Sequence, residues 1–425
     1  MNVTPQKIAG VNLQFTAPPS KSYTHRALIA GALAEGKTTI FRPLEAEDTR
    51  LTAGALRQLG VAVEDQPGRI IVTGCNGKFP NRKPTTLDLD NSGTSLRLLT
   101  TLALLCEHPV TLTGSTRMQE RPIGPLANAL PALGGTVEFL GKDGYPPLRV
   151  SGKLRGGPVT IDGSMSSQFI SSILMAAPYA ENVVEVIIPS PPASASYLDI
   201  TLSVMEAFGA KVERTGYERF TVSTADRYRA RRYTVEGDYS SASYFFAIAA
   251  ICGGKVTVGN LAAASVQGDR RFLDALAAMG CTVTYGTKSV TVEHSGELGG
   301  ITFDMSTSPD TVQTLCMVAA MAGTPTTISG ISHLKFKESD RINGTADRLR
   351  SLGGDVTVGD DFIAIRPVPL HGGTIDPAND HRTAMSFAVL GLGIGGITIA
   401  DSECVNKSFP EFWEMLKNVK VLSWG

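Results

Sequence analysis

The chain has 425 residues, of which 42% are hydrophobic and 19% are charged, and its formal net charge at pH 7 is −1. This length predicts two or three domains with ample cores. A net charge so close to zero provides no global field that would attract nucleic acid or an anionic membrane surface. The longest apolar runs, about ten to thirteen residues, are too short to span a bilayer.

Six cysteines are scattered along the chain without a C-x-x-C pair. Such scattering is typical of reduced, buried thiols in a cytoplasmic protein. Met1 is not followed by a basic and then an apolar segment, so we expect no signal peptide. We therefore predict a cytoplasmic protein, and we expect it to be a monomer that binds neither nucleic acid nor membrane.

The first helix is predicted directly after a short strand at residues 11–15. Pro18 and Pro19 end the strand, and an apolar run follows Ser20-Lys21-Ser22. A helix start offers unpaired backbone N–H groups and a partial positive charge. Lys21 and Arg26 add two cations, so the segment indicates a site for an anion, most simply a phosphate. The alternative is a capped core helix with two solvated cations.

A similar arrangement recurs at residues 91–97, which open a second apolar helix. Gly93 allows a ligand to approach the backbone closely, and Arg97 lies one turn into the helix. Further on, Arg121 precedes Pro122 and is therefore held extended, as suits a side chain that reaches out from a loop. A hydroxyl-capped core helix and a solvated arginine are the alternatives.

Later helix starts are also polar. They are Ser166-Ser167-Gln168, Pro309-Asp310 and Asp380-His381-Arg382, and two further charged segments are 335–341 and Lys407-Ser408. For Asp310 the alternative to a role in chemistry is a capping carboxylate, because the residue stands at a helix start. Lys337 and Arg341 are four residues apart, so a helix would place them on one face with Glu338 alongside. A solvated helix start is the alternative for that segment.

A second pattern, which marks helix ends, repeats about every 73 residues. In each copy an apolar pair precedes a glycine, and a valine follows three residues later. The glycines are Gly60, Gly134, Gly209, Gly280 and Gly353. A glycine there ends a helix in the left-handed conformation before a strand begins. A sixth, degenerate copy is predicted at residues 413–419.

The two patterns together predict a mixed α/β fold. Six copies of a strand–helix–strand–helix–strand unit, three per domain, give two similar domains. The helices with polar starts are apolar nearly all round, as at residues 244–251, and are therefore buried. If they run parallel within each domain, their N-termini focus positive charge on a cleft between the domains, where we expect the active site.

The motifs also occur in a specific order across essentially the whole chain. They are Pro19-Ser20-Lys21-Ser22 with Arg26, Asn91-Ser92-Gly93-Thr94 with Arg97, Arg121-Pro122-Ile123-Gly124, Ser166-Ser167-Gln168-Phe169, Tyr197-Leu198-Asp199-Ile200-Thr201, Lys337-Glu338-Ser339-Asp340-Arg341, Asp380-His381-Arg382 and Lys407-Ser408-Phe409-Pro410. This ordered set resembles the enolpyruvyl transferase family, and most closely its branch that acts on shikimate 3-phosphate.

The resemblance implies two domains, each of three βαβαββ-type repeats with buried parallel helices, an inside-out α/β barrel. Residues 17–234 would form the domain that binds shikimate 3-phosphate. Residues 1–16 and 235–425 would form the second domain, with the phosphoenolpyruvate-binding and catalytic residues.

The implied reaction joins shikimate 3-phosphate and phosphoenolpyruvate on the route to chorismate and aromatic amino acids. The 5-hydroxyl adds to C2 of phosphoenolpyruvate while C3 is protonated, and the tetrahedral intermediate then loses phosphate. The resemblance implies no metal and no other cofactor.

The same resemblance implies roles for individual residues. Asp310 would accept the 5-hydroxyl proton, Glu338 would exchange a proton at C3, and Lys21 would assist departure of phosphate; the division among the three stays open. The residues implied for phosphoenolpyruvate are Lys21, Gly93, Arg121, Gln168, Arg341, Arg382 and Lys407. Those implied for shikimate 3-phosphate are Ser22, Arg26, Ser166, Ser167, Gln168, Ser194 and Tyr197. Asn91, Thr94, His333 and Lys337 complete the predicted substrate-binding set.

Three residues depart from the pattern of many family members. Asp90 and Ser92 replace smaller residues, and we expect them to add bulk and polarity beside the phosphoenolpyruvate site. Their effect on glyphosate, the inhibitor known to bind family members there, stays open because Gly93 is retained. His333 stands where many members have asparagine.

Two other functions are alternatives to enolpyruvyl transfer to shikimate 3-phosphate. The sister enzyme that acts on UDP-N-acetylglucosamine usually has a cysteine on a mobile loop, but here no cysteine lies between Cys106 and Cys252. A catalytically silent protein that binds phosphorylated ligands would not need Asp310 and Glu338. Turnover separates these alternatives.

Overall fold

A computed structural model describes residues 1–418 and 422–424 of the chain. The chain forms two compact units: unit 1 consists of Met1–Pro18 and Glu236–Gly425, and unit 2 consists of Pro19–Val235. Val419, the last residue of the predicted sixth repeat copy, and residue 425, the predicted end of the second domain, lie outside the described residues. The assignment of a substrate to each predicted domain stays a prediction.

The described residues form strands and helices in repeated groups along the chain. The strands are β1 (Val3–Pro5), β2 (Val11–Thr16), β3 (Glu35–Phe41), β4 (Ala62–Gln66), β5 (Arg69–Cys75), β6 (Thr85–Asp88), β7 (Val110–Thr113), β8 (Gly135–Phe139), β9 (Leu148–Gly152), β10 (Gly157–Thr160), β11 (Val184–Ile187), β12 (Val212–Thr215), β13 (Arg219–Val222), β14 (Arg232–Thr234), β15 (Gly254–Gly259), β16 (Thr282–Tyr285), β17 (Ser289–His294), β18 (Thr302–Asp304), β19 (Thr326–Ser329), β20 (Asp355–Val358), β21 (Phe362–Arg366), β22 (Gly373–Ile375), β23 (Ile397–Ile399) and β24 (Leu422–Trp424).

The α-helices are α1 (Lys21–Leu33), α2 (Glu47–Gln58), α3 (Gly93–Leu102), α4 (Gly124–Ala129), α5 (Ser167–Ala176), α6 (Ser196–Ala207), α7 (Tyr239–Cys252), α8 (Phe272–Ala278), α9 (Val312–Ala319), α10 (Arg341–Ser351), α11 (His381–Ile394) and α12 (Phe412–Asn418). Short 3-10 helices lie at Ala103–Leu105, Met118–Glu120, Leu130–Leu133, Ala177–Tyr179, Gly268–Arg271, Pro309–Thr311, Ser332–Phe336 and Ser402–Lys407. No helix among the described residues is long and apolar enough to cross a membrane.

The described strands form six four-stranded sheets with one common topology. Unit 2 contains the sheets β14-β3-β5-β4, β6-β7-β9-β8 and β10-β11-β13-β12, and unit 1 contains β2-β15-β17-β16, β18-β19-β21-β20 and β22-β23-β1-β24. Each sheet has one parallel pair followed by two antiparallel pairs; for example, Val110 lies opposite Thr85 in a parallel pair and opposite Val150 in an antiparallel pair. In the three sheets formed by consecutive strands (β6–β9, β10–β13 and β18–β21), a helix joins the parallel pair and a hairpin forms the last antiparallel pair, which matches the predicted βαβαββ repeat.

Distant segments complete three of the sheets. In unit 2, β14 comes from the end of the unit and pairs in parallel with β3 near its beginning. In unit 1, β2 pairs in parallel with β15, and β1 lies between β23 and β24. The two units are therefore not simple runs of three consecutive repeats.

The helices with polar starts form the interior of each unit, as their composition predicts. In unit 1, α7, α9 and α11 pack against one another, and almost every residue of α7 is buried. In unit 2, α3 packs against α5, while α6 contacts both α1 and α5. A helix that is apolar on all sides is stable only when other elements cover all of it.

The five predicted helix-ending glycines all adopt the left-handed conformation, with φ between 91° and 106°. At Gly134 a Cβ atom would lie 2.5 Å from the carbonyl oxygen of Lys153, so a larger residue does not fit there. The prediction that these glycines end helices is confirmed.

Helix α10 does not include residues 335–340. The helix begins at Arg341 because the Asp340 side chain accepts hydrogen bonds from the N–H groups of Ile342 and Asn343, at 3.1 and 3.0 Å. Lys337 and Glu338 therefore precede the helix and do not share a helical face with Arg341.

Candidate active site

The predicted site residues divide between the two units. Unit 2 contains Lys21, Ser22, Arg26, Asn91, Gly93, Thr94, Arg121, Ser166, Ser167, Gln168, Ser194 and Tyr197. Unit 1 contains Asp310, His333, Lys337, Glu338, Arg341, Arg382 and Lys407.

Lys21 is the first residue of α1, and its ammonium group pairs with Asp48 of α2. The Nζ–Oδ2 distance is 3.0 Å, and the Asp48 side chain is only 3% exposed. The side chain of Ser20, the N-cap residue, makes no capping hydrogen bond to the start of α1. Asp48 was missed by sequence reasoning, because nothing in the sequence distinguishes it from its acidic neighbour Glu47.

The guanidinium group of Arg26 is buried and ties α1 to two other helices. Nε donates to Thr201 Oγ1 at 2.8 Å, and Nη2 donates to Ser171 Oγ at 3.4 Å and to the Tyr197 carbonyl at 3.3 Å. Nη1 donates to the carbonyl of Ser22 at 3.1 Å. Burial lowers the pKa of Arg26 to about 10, which still leaves it charged at neutral pH. Arg26 is therefore a fixed interior cation, and its role as a substrate ligand stays a prediction.

Arg121 lies across the start of α3. Its Nη1 donates to the carbonyl oxygen and to Oδ1 of Asn91, at 3.0 and 3.2 Å. A Cβ atom on Gly93 would lie 2.4 Å from Arg121 Nη2, far inside van der Waals contact. The structure thus brings Asn91, Gly93 and Arg121 together, and the arginine can take this position only because residue 93 has no side chain.

Gln168 connects two of the buried helices of unit 2. Its Nε2 donates to Thr94 Oγ1 at 3.0 Å, and its Oε1 accepts from Arg97 Nη1 at 2.9 Å. Arg97 also donates to Ser166 Oγ at 3.4 Å and to the Pro122 carbonyl at 3.3 Å. The sequence placed Arg97 one turn into its helix but assigned it no role. In the structure it orients Gln168, and this could not be seen without knowing that α3 and α5 are neighbours.

The remaining unit 2 residues lie around the start of α5 and α6. Ser166 caps α5 by accepting from the N–H of Gln168, and the N–H of Ser167 donates to the Ala193 carbonyl. Ser194 has a φ of 56°, in the left-handed region that non-glycine residues rarely adopt. Its carbonyl accepts from the N–H of Tyr197 at 3.0 Å. Left-handed conformations of this kind are concentrated at functional sites.

Ser92 differs from its expected role. It is fully buried, and its hydroxyl bonds to Ser95 Oγ at 2.7 Å. The chain continues from Ser95 to Thr52 at 2.7 Å and from Thr52 to His25 Nδ1 at 2.8 Å. The Ser92 hydroxyl is thus used in the interior of unit 2 and does not add polarity to a ligand-facing surface, although Asp90 is exposed and left-handed, with a φ of 41°.

Arg341 is the centre of the unit 1 group. Its Nε and Nη2 bond to Asp380 at 2.8 and 3.2 Å, its Nη2 to Glu338 at 2.8 Å and its Nη1 to Asp310 at 3.2 Å. Burial opposes the charge of Arg341, but the three carboxylates outweigh this effect and raise its pKa above the ordinary value. The sequence left Asp380 without a role, whereas the structure makes it the main partner of Arg341.

Asp310 is held between two arginines. Its Oδ2 lies 2.6 Å from Arg382 Nη2, and its Oδ1 faces Arg341. The alternative of a capping carboxylate is not supported, because Thr311 is the N-cap residue of α9 and the Asp310 side chain pairs with the two guanidinium groups. Arg382 also donates to the hydroxyl of Tyr244 at 3.3 Å. Burial raises the pKa of Tyr244 to about 12, with the charge of Arg382 acting in the opposite direction.

His333, Lys337 and Lys407 complete the unit 1 group. Burial, and then the charge of Lys337, lower the pKa of His333 to about 3, so its imidazole is neutral at physiological pH. Lys407 is buried at the end of Ser402–Lys407, a short 3-10 helix that packs against α11. The substrate contacts of all three residues stay predictions.

A family model described as EPSP synthase (3-phosphoshikimate 1-carboxyvinyltransferase) matches residues 5–416. The chain belongs to the EPSP synthase family.

Relatives and solved structures agree with this assignment. The chain is 65% identical to the 3-phosphoshikimate 1-carboxyvinyltransferase of Methanoregula boonei over 99% of this chain and 100% of the relative. It is 42% identical to the protein of the same name from Serratia proteamaculans over 99% of both chains. The structure of EPSP synthase from Acinetobacter baumannii superposes with a TM-score of 0.82 at 29% identity, covering 100% of this chain and 99% of that one.

These findings confirm the resemblance drawn from the ordered motifs and the predicted mixed α/β fold. The sister enzyme that acts on UDP-N-acetylglucosamine is not favoured. The individual roles of the site residues are not tested by family membership and stay predictions.

Proposed function

We propose that this chain transfers the enolpyruvyl group of phosphoenolpyruvate to the 5-hydroxyl of shikimate 3-phosphate and releases phosphate, on the route to chorismate and aromatic amino acids. The observation that carries the proposal is the position of Asp310 between Arg341 and Arg382, in a chain whose relatives are named 3-phosphoshikimate 1-carboxyvinyltransferase. A carboxylate base among cations suits a reaction that deprotonates a hydroxyl beside two anionic substrates.

The cations and amides of unit 2 would bind and orient the anionic groups. Lys21 and Arg121 lie at or across the starts of two helices, where N–H groups and the helix dipole also favour anions. Arginine offers a planar fork that matches carboxylate and phosphate oxygens. Gln168, oriented by Thr94 and Arg97, would add an amide contact to the same substrates.

In the addition step, Asp310 would take the proton of the 5-hydroxyl as its oxygen bonds to C2 of phosphoenolpyruvate. Glu338 would supply the proton that C3 gains, and its link to Arg341 keeps it near Asp310 within unit 1. In the elimination step, Glu338 would take a proton back from C3 while the bond from C2 to the phosphate oxygen breaks. Lys21 would stabilise the departing phosphate, and every proposed step uses side chains of this chain.

Cytoplasmic location and a monomeric state stay predictions from the sequence. The partners in the proposal are the two small-molecule substrates.

The test is release of inorganic phosphate by the purified chain with shikimate 3-phosphate and phosphoenolpyruvate, each omitted in turn. Release that requires both supports the proposal. Release with UDP-N-acetylglucosamine in place of shikimate 3-phosphate would assign the chain to the sister activity. No release from folded protein that still binds shikimate 3-phosphate would indicate a silent binding protein. Asp310→Ala and Lys21→Met should each lose most turnover while remaining folded.

A further inference from the structure

Unit 1 contains a buried carboxyl group that the proposed mechanism does not use. Asp269 lies in the 3-10 helix Gly268–Arg271 and is 4% exposed. Its Oδ2 accepts a hydrogen bond from the hydroxyl of Ser240, on the first turn of α7. A carboxyl group is costly to bury, so its presence in the interior calls for a reason.

The turn that contains Asp269 is tied to the turn that contains Asp310. Gly268–Arg271 packs against Pro309–Thr311. Ser308 Oγ donates to the Gly268 carbonyl at 2.5 Å, and Arg271 Nη1 donates to Thr307 Oγ1 at 3.0 Å. These two hydrogen bonds join the residues just before Asp310 to the residues on either side of Asp269. The backbone position of Asp310 therefore depends on the turn that Asp269 occupies.

Asp269 also connects this pair of turns to the helix that contacts Arg382. Ser240, its hydrogen-bond donor, and Tyr244, whose hydroxyl accepts from Arg382, lie four residues apart on α7 and hence on one face of that helix. Asp269 is thus connected to Asp310 in two ways. Its turn is hydrogen-bonded to the backbone segment before Asp310, and its side chain is bonded to α7, which contacts the arginine that pairs with Asp310.

We propose that Asp269 is a positioning residue for the reaction, which holds the Asp310 turn against α7 and places a second carboxyl group behind the Asp310–Arg382 pair. The inference rests on the proposed function, because it assigns Asp269 to the same proton-transfer step. Asp269 need not touch either substrate to act in this way.

The charges around Asp269 couple it to that pair. Burial, and then the negative charge of Asp310, raise the pKa of Asp269 to about 7. Arg382 and the hydrogen bond from Ser240 act in the opposite direction, and Asp238, the N-cap residue of α7, adds a further negative charge. The Asp269 carboxyl group therefore becomes negative near neutral pH. That negative charge helps Asp310 to accept a proton.

The pH dependence of stability distinguishes a positioning role of Asp269 from a purely structural role. Because the folded chain binds the Asp269 proton more tightly than the unfolded chain does, the ionisation of Asp269 lowers stability as the pH rises from about 4 to 7. Asp269→Asn keeps the shape and removes that charge. It should therefore lose turnover without losing thermal stability at or above pH 7, whereas loss of a structural residue would lower both.

The experiment measures kcat, both KM values and the melting temperature of the full-length wild type, Asp269→Asn and Ser240→Ala from pH 5.5 to 9. We expect Asp269→Asn to lower kcat at or above pH 7 by about ten- to hundredfold, with smaller changes in both KM values, because the variant lacks the negative charge that helps Asp310 to accept a proton. The wild-type inflection of kcat near pH 7 should be absent in this variant. Ser240→Ala should lower kcat less, and Ser240→Thr, which keeps the hydroxyl, should restore it.

Asp274→Asn is the matched control, because Asp274 is an exposed carboxylate on α8, five residues further along the chain. It should match the wild type in every measurement. The inference is overturned if Asp269→Asn keeps the wild-type kcat and pH profile, or if its kcat falls only in proportion to a lower melting temperature. If the wild type itself releases no phosphate, the proposed function has failed. If the wild type and Asp269→Asn release phosphate at the same rate, only the inference about Asp269 has failed.

Discussion

Arg341 and Asp380 form a bidentate salt bridge in the interior of unit 1, with Nε 2.8 Å from Oδ2 and Nη2 3.2 Å from Oδ1. Asp380 also accepts from the N–H of Arg382 and from the hydroxyl of Ser339, which fixes the carboxylate from two further sides. The guanidinium group is thereby oriented toward Asp310, so one unreactive carboxylate determines where the proposed base can be held.

Asp380→Asn should destabilise the protein by about 3–5 kcal/mol, because it leaves the buried charge of Arg341 without its main partner. Burial alone would raise the pKa of Asp380, but Arg341 outweighs it and holds that pKa below 3.8. The stability that the ionised form provides is present above pH 3.8 and is lost as the pH falls through the folded-state pKa. Urea unfolding at pH 7 and below pH 4 measures both effects, and the difference between variant and wild type should shrink in acid.

Asp347→Asn is the control for that measurement, since Asp347 pairs with Arg350 at an exposed position. It should cost less than about 1 kcal/mol. Equal costs for the two variants would contradict the importance of the buried pair.

Gly93→Ala should lower kcat/KM for phosphoenolpyruvate by about ten- to hundredfold, because its Cβ atom would displace the Arg121 guanidinium group. Steady-state kinetics with each substrate varied tests this. The control is Gly54→Ala in the middle of α2, where nothing outside the helix obstructs a Cβ atom. It should leave kinetics unchanged and add about 0.5–1 kcal/mol of stability. Unchanged kinetics in Gly93→Ala would show that Arg121 can move without consequence.

Arg97→Lys should lower kcat/KM by about ten- to hundredfold, because lysine keeps the charge but cannot bond to Gln168, Ser166 and the Pro122 carbonyl at once. Loss of charge-assisted hydrogen bonds of this kind is worth about 1.5–3 kcal/mol each. Arg117→Lys, at an exposed pair with Glu120, is the control. A wild-type rate in Arg97→Lys would mean that Gln168 needs no orientation by Arg97.

His333→Asn should make the protein less sensitive to acid. The folded-state pKa of His333 is about 3, against 6.5 for an ordinary histidine. Between these two pH values the unfolded chain binds a proton at His333 and the folded chain does not. The wild type therefore loses stability as the pH falls from 6.5 toward 3, and the variant should lose less. Free energies of unfolding at pH 7 and pH 5 measure the difference, with the exposed His371→Asn as the control. An identical acid dependence in His333→Asn and wild type would contradict the prediction.

Local signals explain which parts of the fold the sequence could predict. The starts of α1, α3 and α11 follow from polar residues ahead of apolar runs, and the helix ends follow from glycines that must be left-handed. These features depend on a few consecutive residues. The sequence does not locate the start of α10, because every residue from 337 to 341 is polar and only the observed cap at Asp340 fixes the boundary.

Pairings between distant elements could not be predicted in the same way. Lys21 meets Asp48, and Arg97 meets Gln168, only because neighbouring helices bring these side chains together. The sequence indicates one member of each pair as a site residue by its residue type and its position at a helix start. The other member is an ordinary polar residue until the packing is known, and Asp269 and Asp380 belong to the same class.

The position of β1 has a consequence for the order in which the chain folds during synthesis. Thr4 of β1 bonds to Thr398 across 394 residues, at 3.0 Å between their hydroxyl oxygens, and β1 is an inner strand between β23 and β24. Every strand of unit 2 lies before residue 236, so that unit can fold while the rest of unit 1 is still being synthesised. Strand β1 is synthesised long before β23 and β24, so its sheet can close only after those two strands have been made.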